Sequence, residues 1–152
     1  MSRALELGGE LRAQIPATLE AVEAFVQRFR HWHEQVSGGR DAFKVELLLR
    51  ESLGNSVTHG VGPQQSIHCA VRGGVRGGAR RVLIALRDEG PGFDWRARAA
   101  LPVADDATSG RGIAIYYRYA HRVRFNARGN GLVLVRLLGP DAPERQAAGS
   151  QS

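Results

Sequence analysis

Apolar residues along this chain follow two rhythms, and the switches between them mark out its elements. Leu11, Ala13 and Ile15 alternate with Arg12 and Gln14, the period of a half-buried strand, and Gly8 and Gly9 break the chain before it. Val22, Phe25, Val26, Phe29 and Val36 then recur at helical spacing, with Thr18 placed to cap the start and Ser37-Gly38-Gly39 to stop it. A second helical stretch opens at Asp41, another N-cap candidate. It carries Val45, Leu48, Leu49, Ser52 and Val57 along one side and should end near Gly60, with Gly62 and Pro63 beyond. Ile67, Cys69 and Val71 alternate again. The run Gly73-Gly74-Val75-Arg76-Gly77-Gly78 reads as a flexible connection into Val82-Leu83-Ile84-Ala85-Leu86, a more buried strand, so the two form an antiparallel hairpin. From Trp95 to Thr108 the sequence is mixed, as in a loop that serves as a lid beside a site. A short apolar helix through Ile113, Ala114, Ile115 and Tyr116 precedes a last hairpin. There Val123 and Phe125 alternate with Arg122 and Arg124, and Asn130-Gly131 signals the turn before Leu132-Val133-Leu134-Val135.

Composition narrows the class. A length of 152 residues with 43% hydrophobic content suits a single domain around one core. The domain is placed at residues 5–138, and residues 139–152, with Pro140, Pro143 and little to bury, read as a disordered tail. No apolar run is long enough for a membrane span, and the start from Met1 to Glu6 lacks the apolar block of a secretory signal, which predicts a cytoplasmic protein. Cys69 is the sole cysteine, which excludes an internal disulfide and a cysteine-built zinc site and leaves it as a small buried residue. His31 and His33 lie two apart on a helix, point in different directions and make no metal pair, while Trp32 reads as packing. A net charge of +6 is compatible with nucleic acid, an anionic membrane surface or an acidic protein partner. The arginines from Arg72 through Arg128 are spread along the sequence rather than set on one helix among aromatics, so nucleic acid is the weaker reading.

Three stretches carry candidate chemistry. Glu51, Asn55 and His59 follow at four-residue steps, so on a helix a carboxylate, an amide and an imidazole share one edge. On an ordinary amphipathic helix the same edge is simply a solvated face. Asp88-Glu89-Gly90-Pro91-Gly92 ends a strand with an acid and two glycines, an arrangement that lets a backbone approach a ligand closely while Asp88 accepts a hydrogen bond; the alternative is a tight turn with a capping aspartate. Ser109-Gly110-Arg111-Gly112 opens a helix, where free backbone N–H groups suit phosphate. Arg111 either adds charge to phosphate binding or points to solvent or a partner protein.

In this order the three stretches resemble the asparagine box and the two glycine boxes of the ATPase domain shared by gyrase, the large heat-shock chaperone, histidine kinases and mismatch-repair proteins. The resemblance runs from about Leu11 to Leu138. It implies an α/β (α+β) two-layer sandwich of the Bergerat type, with helices on one face of a mixed, mostly antiparallel sheet and ATP held between the layers. The short lid, Phe93-Asp94 after the glycines, the His59-Gly60 helix end and the lack of a dimerisation and phosphoacceptor helix pair make the chain similar to anti-sigma-factor serine/threonine kinases. That likeness implies binding of a sigma factor, phosphorylation of a serine on a small antagonist protein, and a homodimer.

Carried over by position, Asn55 holds Mg2+, Asp88 reads the adenine, Gly90 and Gly92 shape the base pocket, and Gly110 and Gly112, with Ser109 and Arg111 beside them, meet the phosphates. Glu51 is then the general base, and His59 is left to helix-end packing. One position departs from the pattern: Leu132, Val133 and Leu134 follow Gly131 where a threonine hydroxyl would support the adenine contact. Two other classes stand beside the kinase. One is a non-enzymatic switch that binds nucleotide and a partner, and the other is a basic nucleic-acid-binding module, which steeply salt-dependent binding would reveal.

Overall fold

The computed structural model describes residues 9–60, 65–91 and 111–139, apart from the side chains of His59, Arg76 and Arg111. In chain order these residues form β1 (Glu10–Pro16), α1 (Leu19–Ser37), α2 (Ala42–Asn55), a π-helical turn (Ser56–Gly60), β2 (Ser66–Arg76), β3 (Ala79–Asp88), α3 (Arg111–Tyr119), β4 (Arg122–Phe125) and β5 (Gly131–Leu137). The strands make one five-stranded sheet in the order β1-β2-β3-β5-β4. Every neighbouring pair among them is antiparallel.

Alternation along the strands decides what the sheet buries. Ile67, Cys69 and Val71 of β2 and Val82, Ile84 and Leu86 of β3 all point to one face, where they meet the apolar stripes of the helices. From α1 come Val22, Phe25, Val26, Phe29 and Trp32, from α2 Val45, Leu48, Leu49 and Leu53, and from α3 Ile113 and Tyr116. The result is a two-layer α/β sandwich whose other sheet face carries exposed arginines.

Local chemistry sets the helix ends. The Thr18 hydroxyl accepts the Ala21 N–H at 3.1 Å, and Gly38, in the left-handed region at φ 67°, turns the chain out of α1. Asp41 occupies the position before α2 but does not cap it with its side chain. Its carboxylate instead accepts from Arg136 and from the Gly139 N–H, each at 3.3 Å, because a cation from β5 is a stronger partner than a helix N–H. Buried His33 is fully engaged: Nε2 faces the Arg40 carbonyl at 2.9 Å and Nδ1 faces the Ser37 hydroxyl at 2.7 Å. Cys69 is buried as expected, and burial pushes its thiol up to about 12.

Two connections differ from the sequence reading. Gly73 to Arg76 belong to β2, paired with Val82 to Ala79, and the turn is only Gly77-Gly78, at φ 58° and 80°. Ladder hydrogen bonds need no side chain, whereas a two-residue hairpin turn needs positive φ at both central positions, so these two glycines fix the turn. In the second hairpin the turn is not built on Asn130-Gly131 alone. The Asn126 side-chain oxygen accepts from the N–H groups of Gly129, Asn130 and Gly131 at 2.7, 3.0 and 3.1 Å, and Gly129 takes the positive φ.

Candidate functional site

Asp88 is the last residue of β3, and the alternation that buries Val82, Ile84 and Leu86 carries it to the helix side, where it is 8% exposed. A buried carboxylate needs donors. Oδ1 accepts the Gly90 N–H at 2.8 Å, which makes the tight turn anticipated as the bland alternative, and Oδ2 accepts the Ser56 hydroxyl at 3.1 Å. No cation pairs with Asp88 among the described residues, so a negative acceptor faces the helix layer. The turn itself is pinned from the far hairpin: the Asp88 N–H donates to the Asn130 carbonyl at 3.0 Å, and Asn130 Nδ2 donates to the Gly90 carbonyl at 3.1 Å.

Asn55 is the last residue of α2, and its Nδ2 donates to the Tyr116 hydroxyl of α3 at 2.8 Å. With the amide nitrogen so committed, Oδ1 is the acceptor without a partner among the described residues. Gly112 lies against the same carboxamide, so closely that a Cβ there would collide with Nδ2. A residue with a side chain at 112 would hold the two groups apart. Glu51, half-buried, lies one turn before Asn55. Burial pushes the Tyr116 phenol well above its ordinary value; the Asn55 bond opposes this, and the field of the Glu51 carboxylate adds to it. Tyr116 therefore stays a neutral phenol, with Glu51 within electrostatic reach.

Past Asn55 the helix widens into the π-helical turn Ser56–Gly60. Consecutive helical residues point about 100° apart, so Asn55 turns to α3 while Ser56 turns to β3 and Asp88. Such widened turns recur at functional positions. The structure thus brings Glu51, Asn55, Asp88, Gly90 and Gly112 around the seam where α2, α3 and the end of β3 meet. Gly92, Ser109, Gly110 and the lid from Trp95 to Thr108 lie outside the described residues, as do the side chains of Arg111 and His59.

As residues of the site, Ser56, Tyr116, Asn126 and Asn130 escaped the sequence reading, although Tyr116 was placed on its helix and Asn130 at its turn. Ser56 adjoins Asn55 and could have been flagged by that alone. Tyr116, in contrast, looks like one more apolar position of a short helix until α2 is packed against it.

Among the described residues no group of three or more His, Cys, Asp or Glu converges to hold a metal ion. A single amide oxygen beside a glycine cradle suits a magnesium ion that takes most of its ligands from water and phosphate, and Asp88 suits an amino group presented as a donor. The donor set therefore fits a magnesium nucleotide.

A two-layer sandwich that gathers an asparagine, a buried aspartate and a close-packed glycine at one seam is an arrangement that a nucleotide-binding α/β domain can use. Residues 15–136, most of the chain, match the histidine kinase-like ATPase domain, and the chain belongs to that family. An ATPase domain implies ATP binding. No curated protein matches the chain. Among the described residues no helix is long and apolar enough to cross a membrane.

Proposed function

We propose that this chain is an ATP-dependent serine/threonine protein kinase of the anti-sigma-factor type. It would bind a sigma factor, phosphorylate a small antagonist protein and exchange one for the other, working as a cytoplasmic homodimer. The observation that carries the nucleotide part is the seam itself: Asn55 on α2, packed against Gly112, is one residue from Ser56, which touches the buried Asp88. Asp88 would accept from the adenine amino group, with Gly90 and Gly92 leaving space for the ring. Asn55 Oδ1 would hold magnesium, oriented by the Tyr116 hydroxyl. Gly110 and Gly112, with Ser109 and Arg111, would present donors to the phosphates. Bound magnesium would neutralise phosphate charge and align the terminal phosphoryl group.

Glu51 would be the general base. It lies one turn from Asn55 on the same edge of α2, so a serine hydroxyl brought to the terminal phosphate would be within its reach, and its carboxylate would take that proton as the serine O–P bond forms and the bond to the departing ADP breaks. Glu51→Gln keeps the shape and removes the basicity. It should leave ATP and partner binding nearly intact while slowing transfer by about 10² or more. Asn55→Ala should damage both binding and transfer.

Isothermal titration with ATP, with and without magnesium, is the first test, and absence of heat and of any thermal shift at millimolar nucleotide would sink the reading. Radiolabelled transfer to a co-purified antagonist is the second. Equal rates for wild type and Glu51→Gln would remove the base. Intact binding without transfer would make the chain a non-enzymatic, nucleotide-dependent switch.

A further inference from the structure

Arginines that look scattered along the sequence are gathered by strand register onto the sheet face opposite the helices. Across the ladder, Arg12, Ala70, Ala85, Val133 and Arg124 form one row. The next row runs Glu10, Arg72, Leu83, Val135 and Arg122. On the other side, Gln14, His68 and Arg87 lie together. In the first two rows, then, an aliphatic centre has guanidinium groups at its ends. Over Ala70, Ala85 and Val133 the small side chains leave a concavity of about 670 Å3, bordered by Arg12, Arg87 and Arg124. Glu10 neutralises part of this charge, accepting Arg12 at 2.7 Å and Arg72 at 3.0 Å. Arg87, Arg122 and Arg124 are exposed and make no ion pair among the described residues.

We propose that this open face docks an acidic partner protein, one that sets an aliphatic side chain on the alanine floor and carboxylates against Arg12, Arg87 and Arg124. The chemistry selects this occupant over others. A second copy would bring one arginine rim against another, and like charges in apposition disfavour the pairing. A single nucleic-acid strand is held on stacking platforms, and no Phe, Tyr or Trp occupies an outward position of these rows. An aliphatic centre inside an arginine rim is the anatomy of a protein interface, and the guanidinium fork matches a carboxylate in two hydrogen bonds. This surface is separate from the nucleotide seam: Arg87 points outward and its neighbour Asp88 inward. The proposal therefore stands independently of kinase activity.

The test uses the full chain and short synthetic peptides read by fluorescence anisotropy at about 0.15 M salt, with backbone amide shifts mapping the contact. A glutamate-rich peptide with a central Leu-Val pair should bind roughly tenfold more tightly than an all-glutamate peptide, the difference one well-filled apolar contact makes. It should move the Ala70, Ala85 and Val133 amides. Arg12→Glu combined with Arg124→Glu should abolish that binding while nucleotide binding and the melting temperature stay unchanged. Arg124→Gln, a milder change at an exposed site, should weaken it several-fold. Equal affinity for the two peptides would overturn the proposal, as would tighter binding of a single- or double-stranded oligonucleotide or of phosphatidylserine vesicles, or no binding to any probe.

Discussion

A buried carboxylate with no cation beside it attracts whatever donor reaches it, and Asp88, held among the described residues by one N–H and one hydroxyl, is such a group there. Asp88→Asn keeps the shape but loses the charge, and its amide must turn one donor toward the ligand. Adenine nucleotides should bind roughly tenfold more weakly, or worse, in titration calorimetry. Ser56→Ala removes one of the two donors, and urea unfolding should show a loss of about 1 kcal/mol that Ser56→Thr largely avoids. His33 supplies a pH effect. Burial lowers its pKa from the ordinary 6.5, and Nε2 already donates to the Arg40 carbonyl, so the native state holds it neutral. Below pH 6.5 the unfolded chain binds the extra proton first. Stability from this residue is therefore complete above 6.5 and falls with pH until the folded pKa is reached. His33→Phe, which can keep the stack on Phe29, should flatten that slope in unfolding measured from neutral pH downward.

Between elements, the contact that matters most is α2 against α3. At Gly112 two effects of a methyl group oppose each other. Alanine is the better helix former by about 1 kcal/mol, yet its Cβ would displace the Asn55 carboxamide. The displaced atoms are the tip of a side chain, so the helix pair can absorb the change by giving up the Asn55–Tyr116 hydrogen bond. Gly112→Ala should thus melt within a few degrees of wild type while magnesium-dependent nucleotide affinity drops about tenfold or more. Equal affinity would mean that the Asn55 orientation is not what binding needs. At the other end of α2, the missing side-chain cap shows how one element can redirect another's residue: Asp41 is drawn to β5 rather than to its own helix.

At the scale of the whole molecule, Arg136 is the tie. From β5 it donates to the Tyr119 carbonyl at the end of α3 at 2.6 Å and to the Asp41 carboxylate before α2 at 3.3 Å. Both side chains of the ion pair are largely buried, at 14% and 18% exposure, so solvent screens it less than the surface pair of Arg50 and Glu23. Arg136→Met should leave Asp41 without its cation and cost about 2–3 kcal/mol in urea unfolding. Adding Asp41→Asn should recover part of the loss, because the stranded charge is then gone. Additive costs in the double variant would mean that the two residues act independently.

Sequence by itself determined the elements and half of the seam. Alternation in β1, β2 and β3, the helical spacing in α1 and α2, the Thr18 cap and the Gly38 stop depend only on near neighbours and on which face is buried, so they could be read along the chain. Asp88 could be read for the same reason, as a polar residue on the buried parity of a strand that ends in glycines. Only the tertiary structure decided the rest. Tyr116 lies 61 positions from Asn55 and Arg136 lies 95 from Asp41, and no local pattern sets which side chains meet across such distances. Strand register likewise turned separate arginines into one surface, because a row across a sheet draws one residue from each strand, and its membership is fixed by pairing rather than by order in the sequence.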